Sequence, residues 1–81
     1  MHKIKSTNIL VYYDGPQLFE GQDIIGTHYL CMLCETKPIP LYLVIQISIA
    51  RLTAIKNGLF DVSAAYRQPE LGTYWTMSLE S

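Results

Sequence analysis

The chain has 81 residues, of which 49% are hydrophobic and only 16% are charged, and its formal net charge is −1. This length predicts a single compact domain over residues 1–81, with the polar residues 1–7 as a flexible leader. The charge balance argues against a nucleic-acid-binding protein, because such domains generally carry a basic stripe. Charged side chains are also few for the surface of so small a monomer, so the composition favours a homo-oligomer.

No segment has the pattern of a signal peptide or of a membrane span. The longest apolar stretch, residues 41–50, is interrupted by Gln46 and Ser48, and it is much shorter than the roughly 20 residues that cross a bilayer. The two cysteines do not form the disulfide framework of a small secreted protein. We therefore expect a cytoplasmic protein that does not contact the membrane.

The first half of the chain predicts four strands separated by turns. Asp14-Gly15-Pro16, Gly26 and the two prolines of segment 36–40 interrupt runs rich in β-branched and aromatic residues. Gly21 suits an edge position or a bulge in the second strand. The fourth strand is almost entirely apolar, which is typical of a strand covered on both sides. The predicted strands are residues 8–13, 17–23, 27–35 and 41–47.

The second half begins with helical periodicity. Ser48 is a good N-cap, and Asn57-Gly58 is a stop signal, so a short helix is predicted between them. Asp61 can cap a second helix over residues 62–67, which Pro69 ends. Residues 73–79 alternate, with Trp75 facing the interior, and predict a last strand. The order ββββααβ predicts an α+β fold built on a strongly twisted antiparallel sheet or a small barrel of about five strands.

Three constellations with possible chemistry have simpler structural explanations. Cys31 and Cys34 match C-x-x-C, but residues i and i+3 of a strand point to opposite faces, so we expect two buried, inert thiols. His28 follows Asp23 closely enough for the carboxylate to orient it as a general base, yet a hydrogen-bonded histidine at a strand end is the expectation. The acidic residues around the first hairpin (Asp14, Glu20 and Asp23) are expected in turn-forming and solvated roles rather than at a metal.

A small-anion site and an interface remain as predictions. Ser48 at a helix N-terminus, together with Arg51, Lys56 and Arg67, could hold a phosphate or a nucleotide. Tyrosine is enriched at protein interfaces. We predict interface roles for Tyr12, Tyr42 and Tyr74.

Short motifs distributed over most of the chain resemble a family of small, uncharacterised bacterial and phage domains. The resemblance is carried by Tyr13-Asp14-Gly15-Pro16, by Leu18-Phe19, by Tyr29-Leu30, and by the segment from Ile47-Ser48 to Gly58. The sequence departs from the family pattern at Leu59-Phe60, where acidic residues are expected. The resemblance implies one compact bacterial or phage domain and assigns no activity.

The sequence therefore favours a non-enzymatic binding module. We expect a homo-oligomeric accessory or inhibitor protein that sequesters a protein partner or a small ligand, without a cofactor or a metal. Two alternatives stay open. One is a nucleic-acid-binding small barrel that stacks bases on strand aromatics, and the other is a small hydrolase or lyase that uses His28.

Overall fold

The computed structural model describes residues 3–78, which form five strands and two helices. The strands are β1 (Lys5–Tyr12), β2 (Pro16–Gln22), β3 (His28–Glu35), β4 (Leu41–Gln46) and β5 (Trp75–Ser78). The helices are α1 (Ile49–Lys56) and α2 (Val62–Arg67). This order confirms the predicted ββββααβ arrangement and the α+β class.

The strands form one sheet in which neighbours in sequence are neighbours in space. The order is β1-β2-β3-β4-β5, and each of the four pairings is antiparallel. The sheet is open, with β1 and β5 at its two edges. The predicted antiparallel sheet is therefore confirmed, and the alternative of a closed barrel is wrong.

Some predicted details of the strands differ from the structure. β1 begins at Lys5, so it includes residues 5–7 of the predicted leader. β2 lies between β1 and β3, which corrects the edge position suggested by Gly21. A Cβ atom at Gly21 would collide with the side chain of Ile4, so glycine allows the chain before β1 to pack closely on β2. Leu79, predicted in the last strand, lies outside the described residues.

One face of the sheet, here called the helix face, carries the larger core. Leu30 and Ile45 lie opposite each other on β3 and β4 and are fully buried. Leu52 of α1 and Ala65 of α2 pack against them. Burial of this apolar stripe is what holds two helices that are too short to be stable alone.

The other face, here called the strand face, is closed by its own side chains. Phe19, Cys31 and Val44 are buried there, and their cluster includes Trp75 of β5 at its margin. The Phe19 and Tyr42 rings meet edge to face, with centroids 5.2 Å apart. Large aromatic groups on a curved sheet thus exclude water without a covering helix.

Both helices start and stop at the predicted residues. The Ser48 hydroxyl accepts the N–H of Arg51 at the start of α1, and Asp61 accepts the N–H of Ser63 at the start of α2. Gly58, at φ 73°, follows the C-cap of α1 in the left-handed region that glycine tolerates. Neither of these helices is long and apolar enough to cross a membrane.

Candidate interaction surface

Four of the exposed large apolar side chains lie together along one edge of the sheet. On β1 and the residue after it, the exposed fractions are 45% for Ile9, 49% for Val11, 69% for Tyr12 and 78% for Tyr13. We call these four residues the β1 edge surface. Among the described strands β1 pairs with β2 alone, so the backbone groups on its outer side have no strand partner there. Such an edge is a template for another strand.

The turn after β1 fixes the end of this surface. Asp14 adopts φ 53° and Gly15 φ 117°, both in the left-handed region. Aspartate and glycine are among the residues that tolerate this conformation best. The Gln17 amide donates to the Tyr13 carbonyl oxygen at 2.7 Å, and the Tyr13 N–H donates to the Gly15 carbonyl oxygen at 2.9 Å. The turn therefore holds the backbone of Tyr13 and Asp14 at a defined place beside the edge.

A cleft lies at the opposite end of β1. It has a volume of about 490 Å³, and its lining includes Lys3, Ile4, Lys5, Asp23 and Ile24. Ile24 is 93% exposed at the turn after β2. One end of the edge therefore presents two lysines beside apolar groups, and the other end presents two tyrosines beside a carboxylate.

Lys56, a predicted anion ligand, has a structural role. Its Nζ lies 2.6 Å from Oε2 of Glu20, which is buried on the helix face of β2. The Asn8 amide donates to the same carboxylate oxygen at 3.0 Å. A buried carboxylate is costly without such partners. Lys56 and Asn8 therefore stabilise an acidic group inside the fold.

The predicted anion position at the start of α1 contains a carboxylate of the protein. The Ser48 N–H donates to Oε1 of Glu70 at 2.7 Å. This hydrogen bond, with a smaller contribution from the nearby Arg51, lowers the pKa of Glu70. Glu70 thus supplies the negative charge that this helix N-terminus favours.

The remaining predicted cations do not converge on one point. The Arg51 guanidinium donates to the Gln68 carbonyl oxygen at 3.0 Å and lies 4.7 Å from the centre of the Phe60 ring. Arg67 is exposed at the last turn of α2. Arg51 therefore joins the two helices, Lys56 joins α1 to the sheet, and the four predicted ligands do not form a pocket.

The three predicted interface tyrosines lie in different environments. Tyr12 and Tyr74 are exposed, at 69% and 58%. Tyr42 is only 2% exposed, and its hydroxyl donates to the Pro16 carbonyl oxygen at 2.6 Å. Tyr42 is therefore a core residue that ties β4 to β2, and its assignment to an interface is wrong.

Asp23 and His28 belong to the β2–β3 turn. The Asp23 carboxylate accepts the N–H groups of Ile25 and Thr27 and the Tyr29 hydroxyl, at 2.8 to 3.1 Å. Burial and this carboxylate raise the pKa of Tyr29. The His28 ring lies 3.2 Å from the Gln22 amide nitrogen. These contacts are those of a turn and a strand end, as predicted, but Asp23 is buried, and so is Glu20, which corrects the solvated roles expected for them.

The two cysteines differ more than the sequence indicates. Cys31 is fully buried on the strand face, and burial raises its pKa to about 12. Cys34 is exposed near the end of β3, which corrects its predicted burial. Both thiols are free. Cys31 is therefore inert in the folded protein, whereas Cys34 is accessible to reagents.

The acidic residues of the first hairpin are separated. Asp14 lies at one end of β2 and Asp23 at the other, while Glu20 faces α1 between them. Within residues 3–78 no three His, Cys, Asp or Glu side chains are grouped as a metal site would require.

Comparisons with known proteins found no relative of the chain. No family model matches the chain, and searches of curated proteins and of solved structures also gave no match. The resemblance to bacterial and phage domains therefore stays a prediction.

Sequence reasoning missed three members of the β1 edge surface. It predicted that Ile9, Val11 and Tyr13 belong to a strand, but it did not predict that this strand lies at an edge of the sheet. One signal was present, because residues 6–13 contain no charged side chain. In a chain where polar surface is scarce, eight uncharged residues beside a polar leader can indicate an unpaired apolar edge.

Proposed function

We propose that the chain is a non-enzymatic binding module that works as a small homo-oligomer and sequesters a protein partner. In this proposal it is an accessory or inhibitor protein of a bacterium or phage, as the resemblance of its motifs implies. The observation that carries the proposed self-association is the β1 edge surface. Four large apolar side chains stand exposed there on a strand whose outer backbone groups lack a strand partner among the described residues.

The polar contacts favour a protein partner over a small anion. Lys56 is paired with Glu20, and Arg51 donates to a backbone carbonyl oxygen. Glu70 accepts the N–H at the start of α1. An incoming phosphate would have to displace these groups, whereas a protein partner needs only to cover apolar area.

The two alternative functions gain no support from particular contacts. A base-stacking barrel needs exposed strand aromatics beside basic residues, but Phe19 and Tyr42 are buried and the exposed Tyr12 and Tyr13 precede the acidic Asp14. A hydrolase based on His28 needs a nucleophile or a substrate cleft at the ring, and the ring contacts the Gln22 amide. The binding module remains the proposal that the exposed surface supports best.

Native mass spectrometry on freshly purified protein tests the proposal. It reports the number of subunits and any retained molecule in one spectrum. We expect an oligomer for the wild type, with or without retained mass, and loss of the assembly in Val11→Lys. Ile49→Lys is the matched control, because Ile49 is also exposed but begins α1. A bare wild-type monomer at every concentration, with no retained partner, would overturn the proposal.

A further inference from the structure

We propose that the partner seated on the β1 edge surface is a second copy of this chain, paired strand to strand through antiparallel β1 with its two-fold axis at Ile9. This inference rests on the proposed function and specifies the interface of the oligomer. The product is one continuous sheet of ten strands, in which the helices of both copies lie on the same side. Four features of the edge support this arrangement.

The first feature is the contrast between the two edges of the sheet. β1 has eight residues, whereas β5 has four within the described residues 3–78. On β5 the side chains of Thr76 and Ser78 are polar and exposed. Those of Trp75 and Met77 pack against the core of the strand face. Added strands form main-chain hydrogen bonds along their whole length. The longer and more apolar edge is therefore the one that gains most from pairing.

The second feature is incomplete protection of β1. Natural edge strands avoid pairing by means of charged side chains, prolines or bulges. β1 has bulges at Thr7 and Leu10, where two of its residues advance against one of β2. It has neither a charge nor a proline from Ser6 to Tyr13. Bulges increase the local twist of a strand, so β1 pairs best with a strand that is twisted to the same degree. The β1 strand of a second copy meets this condition because it carries the same bulges.

The third feature is the position of the bulges. Thr7 lies on one side of Ile9 and Leu10 lies on the other. A two-fold axis at Ile9 therefore places Thr7 opposite the partner's Val11 and Leu10 opposite the partner's Asn8, so that no bulge lies opposite a bulge. An axis perpendicular to the sheet also requires that one residue faces its own copy, which the register centred on Ile9 satisfies.

The fourth feature is complementarity between the two ends of the edge. In this register Lys5 of one copy comes to the Tyr12 end of the partner's β1, where Tyr13 and Asp14 follow in the turn. A lysine beside an aromatic ring and a carboxylate is favourable in both contacts. The apolar cleft beside Lys3, Ile4 and Ile24 lies where the partner's tyrosines arrive. Each end of β1 thus supplies what the other end lacks.

Disulfide trapping tests the axis. Directly opposite residues of an antiparallel pair have Cα atoms about 4.5 to 5.5 Å apart, a distance that a disulfide can span. We introduce Ile9→Cys into a Cys34→Ser background, where Cys31 is buried and does not compete. Under mild oxidation we expect a covalent dimer, formed faster at rising protein concentration until the association saturates. Ile49→Cys in the same background is the control, and we expect it to remain largely monomeric.

A second variant tests the same interface without relying on disulfide formation. Val11→Lys places a charge on the edge, and we expect the dimer to weaken about tenfold or more in sedimentation equilibrium, with an unchanged circular dichroism spectrum. A wild-type oligomer that survives Val11→Lys and does not trap through Ile9→Cys overturns the β1 interface but leaves the binding module intact. A wild-type monomer throughout overturns the dimer itself. The module as a whole then fails as well, unless native mass spectrometry shows a different retained partner.

Discussion

The centre of the sheet and its β1 edge use similar residue types for opposite purposes. At the centre, Leu30 and Val44 are 0% exposed, and each lies on a strand that has a neighbouring strand on either side. On β1, Ile9 and Val11 are about half exposed. Apolar side chains therefore specify the fold where strands pair on both sides, and they create an interaction surface where pairing stops. The difference teaches that position in the sheet, rather than hydrophobicity, decides which role such a residue takes.

Truncation at the centre should have the largest effect on stability. Leu30→Ala removes fully buried methyl groups from the helix face, so we expect the free energy of unfolding to fall by about 2 to 5 kcal/mol. Ile9→Ala on the edge should change it by only about 0.5 kcal/mol. Urea unfolding measures both, at protein concentrations low enough that dissociation does not contribute. Equal losses for the two variants would show that β1 is part of the core.

Breaking the Lys56–Glu20 pair should have an intermediate effect. Lys56→Met keeps most of the stem of the side chain but leaves the buried Glu20 carboxylate with the Asn8 amide. We expect a loss of about 1 to 3 kcal/mol, part of which Glu20→Gln in the same chain should restore. Arg67→Met is the matched control, because that cation is exposed on α2. A Lys56→Met loss no larger than that of the control would remove the structural role assigned to Lys56.

The smallest effect belongs to Glu70, and it depends on pH. The pKa of Glu70 is lowered from its ordinary value of 4.5, chiefly by the Ser48 N–H. Because the folded value is the lower one, the stabilisation is complete above about pH 4.5 and is lost as the pH falls through the folded pKa. Glu70 is solvent-exposed, so Glu70→Gln should cost roughly a few tenths of a kcal/mol at pH 7.

The role of Glu70 is tested by comparing the pH dependence of stability in the wild type and in Glu70→Gln. Stability curves of the wild type and of Glu70→Gln should converge as the pH drops below the ordinary range of glutamate. A constant gap between the two curves down to low pH would mean that the lost contact is steric rather than electrostatic. Chemical denaturation at a series of pH values measures the gap.

Local sequence signals predicted the elements well. Ser48, Asp61 and Asn57-Gly58 mark helix ends because capping depends on neighbouring backbone groups. The run from Leu41 to Gln46 was correctly predicted as an interior strand because apolar residues occupy both of its faces. Properties that need only a few adjacent residues are therefore visible in the sequence.

Properties that depend on distant partners were not visible. The start of β1 was missed because Lys5, Ser6 and Thr7 are polar, as an exposed edge permits. The burial of Tyr42 depends on Phe19 and on the carbonyl of Pro16, which lie more than twenty residues away in the chain. Barrel closure depends on the accumulated twist and register of five strands. The candidate surface shares this limitation, because an edge exists only once the order of the strands is known.

Backbone amide exchange across a series of protein concentrations tests the central claim most directly. If a second copy pairs with β1, the outward amides of Lys5–Tyr12 gain hydrogen-bond partners and exchange more slowly as the concentration rises. The amides of Trp75–Ser78 on the opposite edge should not change. We predict concentration-dependent protection confined to β1 and the adjoining turn. Protection of β1 that is the same at every concentration, or that appears at β5 instead, would contradict the account.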